Sequence, residues 1–381
     1  MTDQTYWVRP HALFDGADLR HDMALRIKGT TIVEMAPASP IQKAQDLPAL
    51  LCPGLVDLQV NGGGGALFNA RPTPETIRAI AAAHRALGTT RIMPTLITDA
   101  PEVLARSVET MLACQDMPEI IGFHIEGPHI SATRRGTHAA RHVRQLDDTT
   151  TAHVARLRQA GMAVMITVAP EAARPEQIAA LARMGAVVSL GHSDATAEQT
   201  RVALDAGATC FTHLFNAMSP MLNRAPGVVG AAINSQAYCG MICDGLHVAD
   251  EMLALAIRAR PVADRNYLVS DAMPTVGGPD EFDLYGKTIR LSDGKLVNAE
   301  GSLAGAHTTM FQSMRRLVQV LDLPLQQALR MAVTTPKQAI FGPNAAEIDP
   351  LIGANLSEIL LIENDLSDFR FASDRLGQAA A

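Results

Sequence analysis

The segment AVVSLGHSDATAEQTRVALDAGATCFTHLF, residues 186–215, contains the pattern that decides the fold. A short apolar run at 186–193 is followed by an amphipathic stretch that begins with the helix-start residue Thr196 and ends at Gly207. A second apolar run follows at 208–215. A strand, a helix and a strand in this order make one βα unit of a parallel sheet.

The same alternation extends from this unit toward both ends of the chain. Further apolar runs lie at 55–61, 90–97, 120–126, 163–171, 238–245 and 266–274. Amphipathic stretches between the runs begin near residues 74, 101, 175 and 249. Eight strands with helical crossovers predict an α/β fold of the TIM type, a (β/α)8 barrel with its active site at the carboxyl ends of the strands. A doubly wound open sheet is the alternative.

Both chain ends have a different character from the middle. The first fifty residues contain short strand-like pieces separated by Asp and Gly turns, and residues 355–365 form a similar piece. We therefore expect a small β-sandwich domain made of residues 1–52 and 345–381, and a barrel domain of residues 53–344. A hairpin insertion around Asp293 and Gly294 is predicted after the eighth strand.

Composition limits the classes of partner. The 381 residues are 48% apolar and 19% charged, with a net charge of −7 and a pI near 5.9. This acidic balance argues against nucleic acid or an anionic membrane and favours a small-molecule substrate. With no run of about 18 apolar residues and no signal-like N-terminus, we expect a cytoplasmic protein. The five cysteines lack CxxC spacing and are interpreted as structural thiols.

Polar side chains stand where four of the predicted strands end. Glu126 ends the third strand, His192 the fifth and Asp271 the eighth, while His213 interrupts the sixth. Singly, each fits a satisfied core residue or a cap. Because these positions meet at one mouth of a barrel, together they predict a metal site of two imidazoles and one carboxylate. Asp271 then has the right type to act as the acid/base that moves the proton of the attacking water.

Loop residues near these strand ends carry a weaker signal. A single loop His or Arg is usually incidental or solvated. The residues alone therefore do not decide whether these side chains lie on the surface or contact a substrate. The candidates of this kind are His138, Asn216, Ala217, Arg224 and His247.

Several motifs occur together in one order along nearly the whole chain. They are PGLVDLQVNGGGG, HIEGPHI, LGHSDAT, THLFNAM, RAPG, DGLHV, SDAMP and GSLAG. In this combination the chain resembles the N-acetylglucosamine-6-phosphate deacetylases of the amidohydrolase superfamily. The resemblance implies hydrolysis of N-acetyl-D-glucosamine 6-phosphate to D-glucosamine 6-phosphate and acetate in amino-sugar catabolism.

The resemblance also assigns a role to each candidate residue. It implies that Glu126, His192 and His213 bind the metal, that Asp271 is the acid/base and that His138 polarises the acetyl carbonyl. The remaining assignments are contacts to the sugar phosphate from Asn216 and Ala217, a substrate contact from His247, and a phosphate contact from Arg224 donated by the neighbouring subunit of a homodimer.

Two departures from the wider superfamily bear on the metal and the substrate. Gln59 and Asn61 stand where many amidohydrolases carry His-x-His for a second metal, and the five lysines lie outside the predicted strands. We therefore expect one divalent ion per subunit, zinc, with iron(II) as the alternative. Ala225 replaces the Glu of the common REPG motif, which leaves the preferred hexosamine open.

Other functions stay open on the sequence. One is deacetylation of N-acetylgalactosamine 6-phosphate or another N-acyl amine, which would keep the metal and the acid/base. The other is a non-catalytic sugar-phosphate binding protein on the same barrel. The presence of Asp271 beside a full ligand set argues against the second, because binding alone needs no general base.

Overall fold

The computed structural model describes residues 5–297, 301, 303–343, 345 and 351–376. Within them, eight parallel strands hydrogen bond in the order in which they occur in the chain. Ala272, just after the eighth strand, forms a parallel bridge with Val60 of the first strand. Sequential order and this return contact give the predicted barrel, and they exclude a doubly wound sheet, in which the strand order reverses. The strands are Leu55–Val60, Thr89–Ile97, Phe123–Glu126, Val164–Val168, Val187–Leu190, Cys210–Phe211, Tyr238–Met241 and Asn266–Leu268.

The strands could be recognised in the sequence because apolar side chains cover both of their faces. One core of buried aliphatic residues lies between the strands and the outer helices. A second core, which includes Val56, Met93 and Ile242, is formed mainly by buried residues of the barrel strands and their immediate continuations, with Ala306 and Ala339 from later elements. Burial on both faces is the usual condition of parallel strands, which read as continuous apolar runs.

The helices begin close to the predicted positions. The first helix is capped by the Thr73 hydroxyl, and Thr196 and Gln199 form a reciprocal capping box for the helix that follows the fifth strand. A π-helical turn, Arg330–Thr334, joins two of the closing helices. The helices are Pro74–Ala86, Pro101–Ala113, Asp148–Gln159, Pro175–Arg183, Ala197–Asp205, Gly227–Ile233, Asp250–Ala259, Met310–Gln319, Leu325–Leu329, Thr335–Phe341 and Ala372–Leu376.

A separate β-sheet gathers both ends of the chain, as expected. The tail strand Ile359–Ile362 pairs antiparallel with Ala44–Pro53, and the sheet has its own apolar core. The predicted boundary at 344–345 stays a prediction, since residues 344 and 346–350 lie outside the described part of the chain. The other strands of the sheet are Thr5–Phe14, Leu19–Arg20, Met23–Lys28, Thr31–Pro37 and Phe369–Phe371.

The predicted hairpin insertion is part of a small antiparallel sheet at the barrel mouth. Asp293 and Gly294 form its two-residue turn with φ values of 50° and 76°, as a type I′ hairpin requires. Apolar side chains of this sheet pack against Ile97 and Met273 of the barrel. The sheet therefore walls one side of the mouth. Its strands are Glu281–Leu284, Lys287–Ser292, Lys295–Val297 and Leu303–Ala306.

The cysteines agree with their interpretation as structural thiols. All five cysteines are buried free thiols, and burial raises the pKa of Cys239 to about 11. Among the described residues, no helix has the length and apolar character needed to cross a bilayer.

The Glu358 carboxylate joins the small domain to the barrel. It accepts a hydrogen bond from Arg85 at 2.7 Å and another from Arg91 in the second barrel strand. The three side chains are 15–26% exposed. We expect Glu358→Gln to lower the free energy of unfolding by about 1–3 kcal/mol, because two guanidinium groups lose a charged acceptor.

Denaturant unfolding followed by circular dichroism measures this change. The matched control is Glu281→Gln, which removes a carboxylate 3.0 Å from Arg290 in a well-exposed pair and should leave the midpoint unchanged. Equal midpoints for both variants and the wild type would contradict the proposed link.

Candidate active site

The four residues predicted at strand ends lie together at the barrel mouth. Glu126 ends the third strand, and His192, His213 and Asp271 follow the fifth, sixth and eighth strands. All four line one cavity of about 170 Å³. His138, Asn216, Ala217 and His247 line the same cavity.

Three of these side chains direct one ligand atom each to a common point. The Nε2 atom of His213 is 3.0 Å from Oε1 of Glu126 and 3.1 Å from Nε2 of His192, and the His192 Nε2 to Glu126 Oε1 distance is 3.3 Å. A tetrahedral ion bound at about 2.0–2.2 Å separates its ligand atoms by roughly 3.3–3.6 Å. The three buried residues could therefore hold a divalent ion with little movement.

The turn that carries His192 is fixed from two sides. Nδ1–H of His192 donates to the Arg134 carbonyl at 2.9 Å, which leaves the Nε2 lone pair available to a metal. The Glu171 carboxylate accepts from the Ser193 hydroxyl and from the Asp194 N–H, both at 2.7 Å. These contacts set the direction of the imidazole before any ion binds.

Two amides of the first strand hold the carboxyl groups of the site. The Gln59 side-chain N–H₂ donates to Glu126 at 2.9 Å and to Asp271 at 3.1 Å. Asn61 donates to the same Asp271 oxygen at 2.7 Å. Gln59 therefore places a hydrogen-bond donor between the two carboxyl groups, and Asn61 adds a second donor to Asp271.

The two carboxyl groups have opposite pKa shifts. Burial raises the pKa of Asp271 to about 6, and the charge of Glu126 adds to this rise. Burial also disfavours ionised Glu126, but hydrogen bonds with His192 and His213 outweigh it and hold the Glu126 pKa well below its ordinary value. Glu126 thus stays a charged ligand, whereas Asp271 can gain and lose a proton near neutral pH.

A buried acid lies beneath this pair. Asp57 accepts from the Ser270 hydroxyl and from the backbone N–H groups of Ser270 and Gln59, at 3.2 and 3.1 Å. Burial raises the pKa of Asp57 to about 7. Because Ser270 directly precedes Asp271, Asp57 helps to hold the acid/base candidate in place. Through the backbone N–H of Gln59 it also holds the residue whose side-chain amide contacts Asp271.

Asp57 and the contacts of Gln59 were not predicted from the sequence, although a signal was present. Asp57, Gln59 and Asn61 occupy alternate positions of the run LVDLQVN, and alternate residues of a strand point to one face. Three polar side chains on one face of a buried strand indicate a polar site at the barrel interior. Nothing comparable in the sequence marks Glu171.

The loop candidates separate into two groups. His247 donates from Nδ1 to Asp244 at 2.6 Å; burial lowers the His247 pKa, but the Asp244 carboxylate outweighs it and the net shift is upward. Arg224, by contrast, lies in an exposed segment and is not among the residues that line the cavity of the described chain. Its predicted action across a dimer interface stays a prediction.

The backbone of the site departs from ordinary conformations. Positive φ values occur at His192 (47°), His213 (31°), Phe215 (81°), Ala217 (52°) and Asp271 (50°). Such left-handed conformations of non-glycine residues cost of order 1–3 kcal/mol each and persist where the surroundings enforce them. Four of these residues, all except Phe215, line the cavity, which makes it the candidate functional site.

Comparisons with known proteins agree with this geometry. Residues 50–341 match the model of the amidohydrolase family. The chain is 43% identical over 304 residues to the N-acetylgalactosamine-6-phosphate deacetylase of Shewanella sp. (strain ANA-3), with 78% of this chain and 76% of that protein covered. It is 32% identical to the N-acetylglucosamine-6-phosphate deacetylase of Haemophilus influenzae, with 85% and 86% covered. The crystal structure of N-acetylglucosamine-6-phosphate deacetylase from Pasteurella multocida superposes with a TM-score of 0.85 at 30% identity, covering 97% of this chain and 98% of that one.

Proposed function

The chain belongs to the amidohydrolase family, and we propose that it is a metal-dependent deacetylase of N-acetyl-D-glucosamine 6-phosphate in amino-sugar catabolism. The products are D-glucosamine 6-phosphate and acetate. The observation that carries the proposal is a buried His-His-Glu cluster beside an aspartic acid with a pKa of about 6 in one cavity. Relatives named for this activity support the substrate class.

The residues of the site divide the hydrolysis between them. A divalent ion held by Glu126, His192 and His213 would supply Lewis-acid activation of water and of the acyl oxygen. Asp271 takes the proton of the attacking water and later returns it to the departing nitrogen as the C–N bond breaks. His138 donates a hydrogen bond to the acyl oxygen as negative charge develops there.

The remaining cavity residues bind the sugar phosphate in this proposal. Asn216 and Ala217 contact it from the turn after His213, and His247 contacts the substrate from the loop after the seventh strand. Arg224 supplies a phosphate contact from the partner subunit of a homodimer. A guanidinium suits this role because it binds phosphate through paired, charge-assisted hydrogen bonds.

N-acetylgalactosamine 6-phosphate is the second candidate substrate. The Shewanella relative carries that name at 43% identity, above the 32% of the Haemophilus protein. Cleavage of the acetamide would use the same metal ligands and Asp271 for either epimer. We also propose a cytoplasmic location, in agreement with five buried free cysteines.

Acetate release from both epimeric sugar phosphates tests the activity. We expect turnover by the wild type and a loss of about 10²- to 10⁴-fold in Asp271→Asn with metal content unchanged, because an amide cannot carry the proton. Absence of acetate release by the metal-loaded wild type would overturn the proposed function. Near wild-type turnover of metal-loaded Asp271→Asn would overturn the role of Asp271.

Metal analysis tests the stoichiometry. We expect about one tightly bound divalent ion per chain, zinc with iron(II) as the alternative, in protein purified without added metal. The reason is that Gln59 places an amide N–H₂, not a ligand atom, between Glu126 and Asp271. A reproducible two ions per chain at full activity would contradict this prediction.

Arg224→Ala tests the contribution across the dimer interface. We expect the variant to lose far more activity on the 6-phosphate than on the unphosphorylated sugar, because a methyl group cannot bind phosphate. The metal content should not change. The exposed Arg78→Ala, on the outer helix Pro74–Ala86, is a matched control for loss of a surface guanidinium.

Hybrid dimers separate a trans contact from one within the subunit. Mixing Arg224→Ala chains with Asp271→Asn chains creates one site that has both Asp271 and a donated Arg224. Recovery of activity supports a shared site. No recovery in verified hybrid dimers, or equal losses on both sugars, would decide against the trans arginine.

A further inference from the structure

Thr98 contacts the histidine that the proposed mechanism uses on the acyl oxygen. It directly follows the second barrel strand, whereas His138 lies in the loop after the third strand. The Thr98 hydroxyl is 2.7 Å from Nδ1 of His138, and the Thr98 backbone N–H donates to the same nitrogen at 3.4 Å. Both residues are buried, with 1% and 3% of their surface exposed.

The two contacts from Thr98 together favour one tautomer of His138, and the hydroxyl at 2.7 Å is the stronger of them because the backbone N–H is 3.4 Å away. A backbone N–H can only donate, so its direction favours a bare, accepting Nδ1 on His138, and the Thr98 hydroxyl then donates to the same nitrogen. Among the described residues, Nδ1 of His138 is the hydrogen-bond acceptor of the buried Thr98 N–H, and a buried N–H without an acceptor is costly. A neutral His138 with a bare Nδ1 carries its hydrogen on Nε2.

We propose that Thr98 is a positioning residue that fixes His138 in the tautomer with Nε2–H directed to the substrate. This inference rests on the proposed function, because the acyl oxygen is the acceptor. Within the described chain no protein group is hydrogen bonded to Nε2, and His138 lines the cavity. With the opposite tautomer, Nε2 would present a lone pair and repel the developing oxyanion.

The surroundings hold Thr98 in the required place. Tyr285 donates from its hydroxyl to the Thr98 carbonyl. This tyrosine lies at the turn between the strands Glu281–Leu284 and Lys287–Ser292, with a φ of 53°. On the other side, a Cβ added to Gly127 would be 2.3 Å from the Thr98 hydroxyl oxygen. The small antiparallel sheet at the barrel mouth and the loop after the third strand thus fix Thr98 between them.

Kinetics of Thr98→Val and Thr98→Ser test the inference. Valine keeps the shape and the backbone N–H but lacks the hydroxyl, so we expect kcat to fall roughly 10-fold with KM and metal content little changed. Serine restores the hydroxyl and should recover most of kcat. The matched control is Thr110→Val, at a residue that does not line the cavity and where the lost bond is to the Pro72 carbonyl at 2.7 Å; its kcat should equal that of the wild type.

A substrate with an activated carbonyl separates this role from a general structural one. In an N-trifluoroacetyl sugar phosphate the fluorines polarise the carbonyl themselves, so less depends on the hydrogen bond from His138. We expect the loss in Thr98→Val to shrink several-fold on this substrate. An equal loss on both substrates, or no loss on either, would overturn the positioning role.

The tautomer can also be measured without turnover. In metal-loaded protein with ¹⁵N-labelled histidine, the two ring nitrogens have distinct shifts when protonated and bare, and His138→Gln identifies the signals. We expect a bare Nδ1 in the wild type and a mixture of tautomers in Thr98→Val. A protonated Nδ1 in the wild type overturns the inference even if Thr98→Val fails to fold. If instead the wild type releases no acetate, the proposed function fails while this measurement still decides the tautomer.

Discussion

The site depends on two carboxyl groups that share one buried mouth. Two neighbouring carboxyl groups cannot both be ionised without compensation, and burial increases the free-energy cost of ionising them. The side-chain amide of Gln59 lies between them and donates to both Glu126 and Asp271. Imidazoles draw Glu126 toward the charged form, so burial together with the charge of Glu126 raises the pKa of Asp271. A neutral amide therefore permits one permanent anion and one proton carrier side by side.

This arrangement requires backbone conformations that non-glycine residues rarely adopt. His192, His213 and Asp271 each leave their strand with a positive φ, at a cost of order 1–3 kcal/mol per residue. The barrel offsets this cost through its aliphatic cores. Local anchors set the direction of each side chain, since Asp57 binds Ser270 next to Asp271 and Glu171 binds the residues after His192. Rigid strands with strained ends thus aim the reactive groups.

The sequence predicts the parts that depend on repeated pattern. Apolar runs mark the barrel strands because both faces are buried, and polar residues at their ends mark Glu126, His192, His213 and Asp271 because parallel strands end at one mouth. Contacts between segments distant in sequence leave no such pattern. Thr98, for example, is an ordinary residue after a strand until the fold brings it to His138, 40 positions away. The proposed role of Arg224 involves a second subunit, so neither the sequence pattern nor one chain decides it.

Strand ends and loops have different parts in the chemistry of the site. In the proposed function, the groups that would bind an ion or carry a proton stand at strand ends, where the barrel fixes them. His138, Asn216, Ala217 and His247 stand on loops, which tolerate change while the scaffold stays constant. Deacetylases named for the gluco and the galacto epimer both match this chain over most of its length, as expected if cleavage resides in the strands and sugar selection in the loops. His138 is the exception among the loop residues, because Thr98, placed directly after a strand, ties it to the rigid part. A loop residue that takes part in cleavage needs such a contact with the rigid scaffold, whereas one that only recognises the sugar does not.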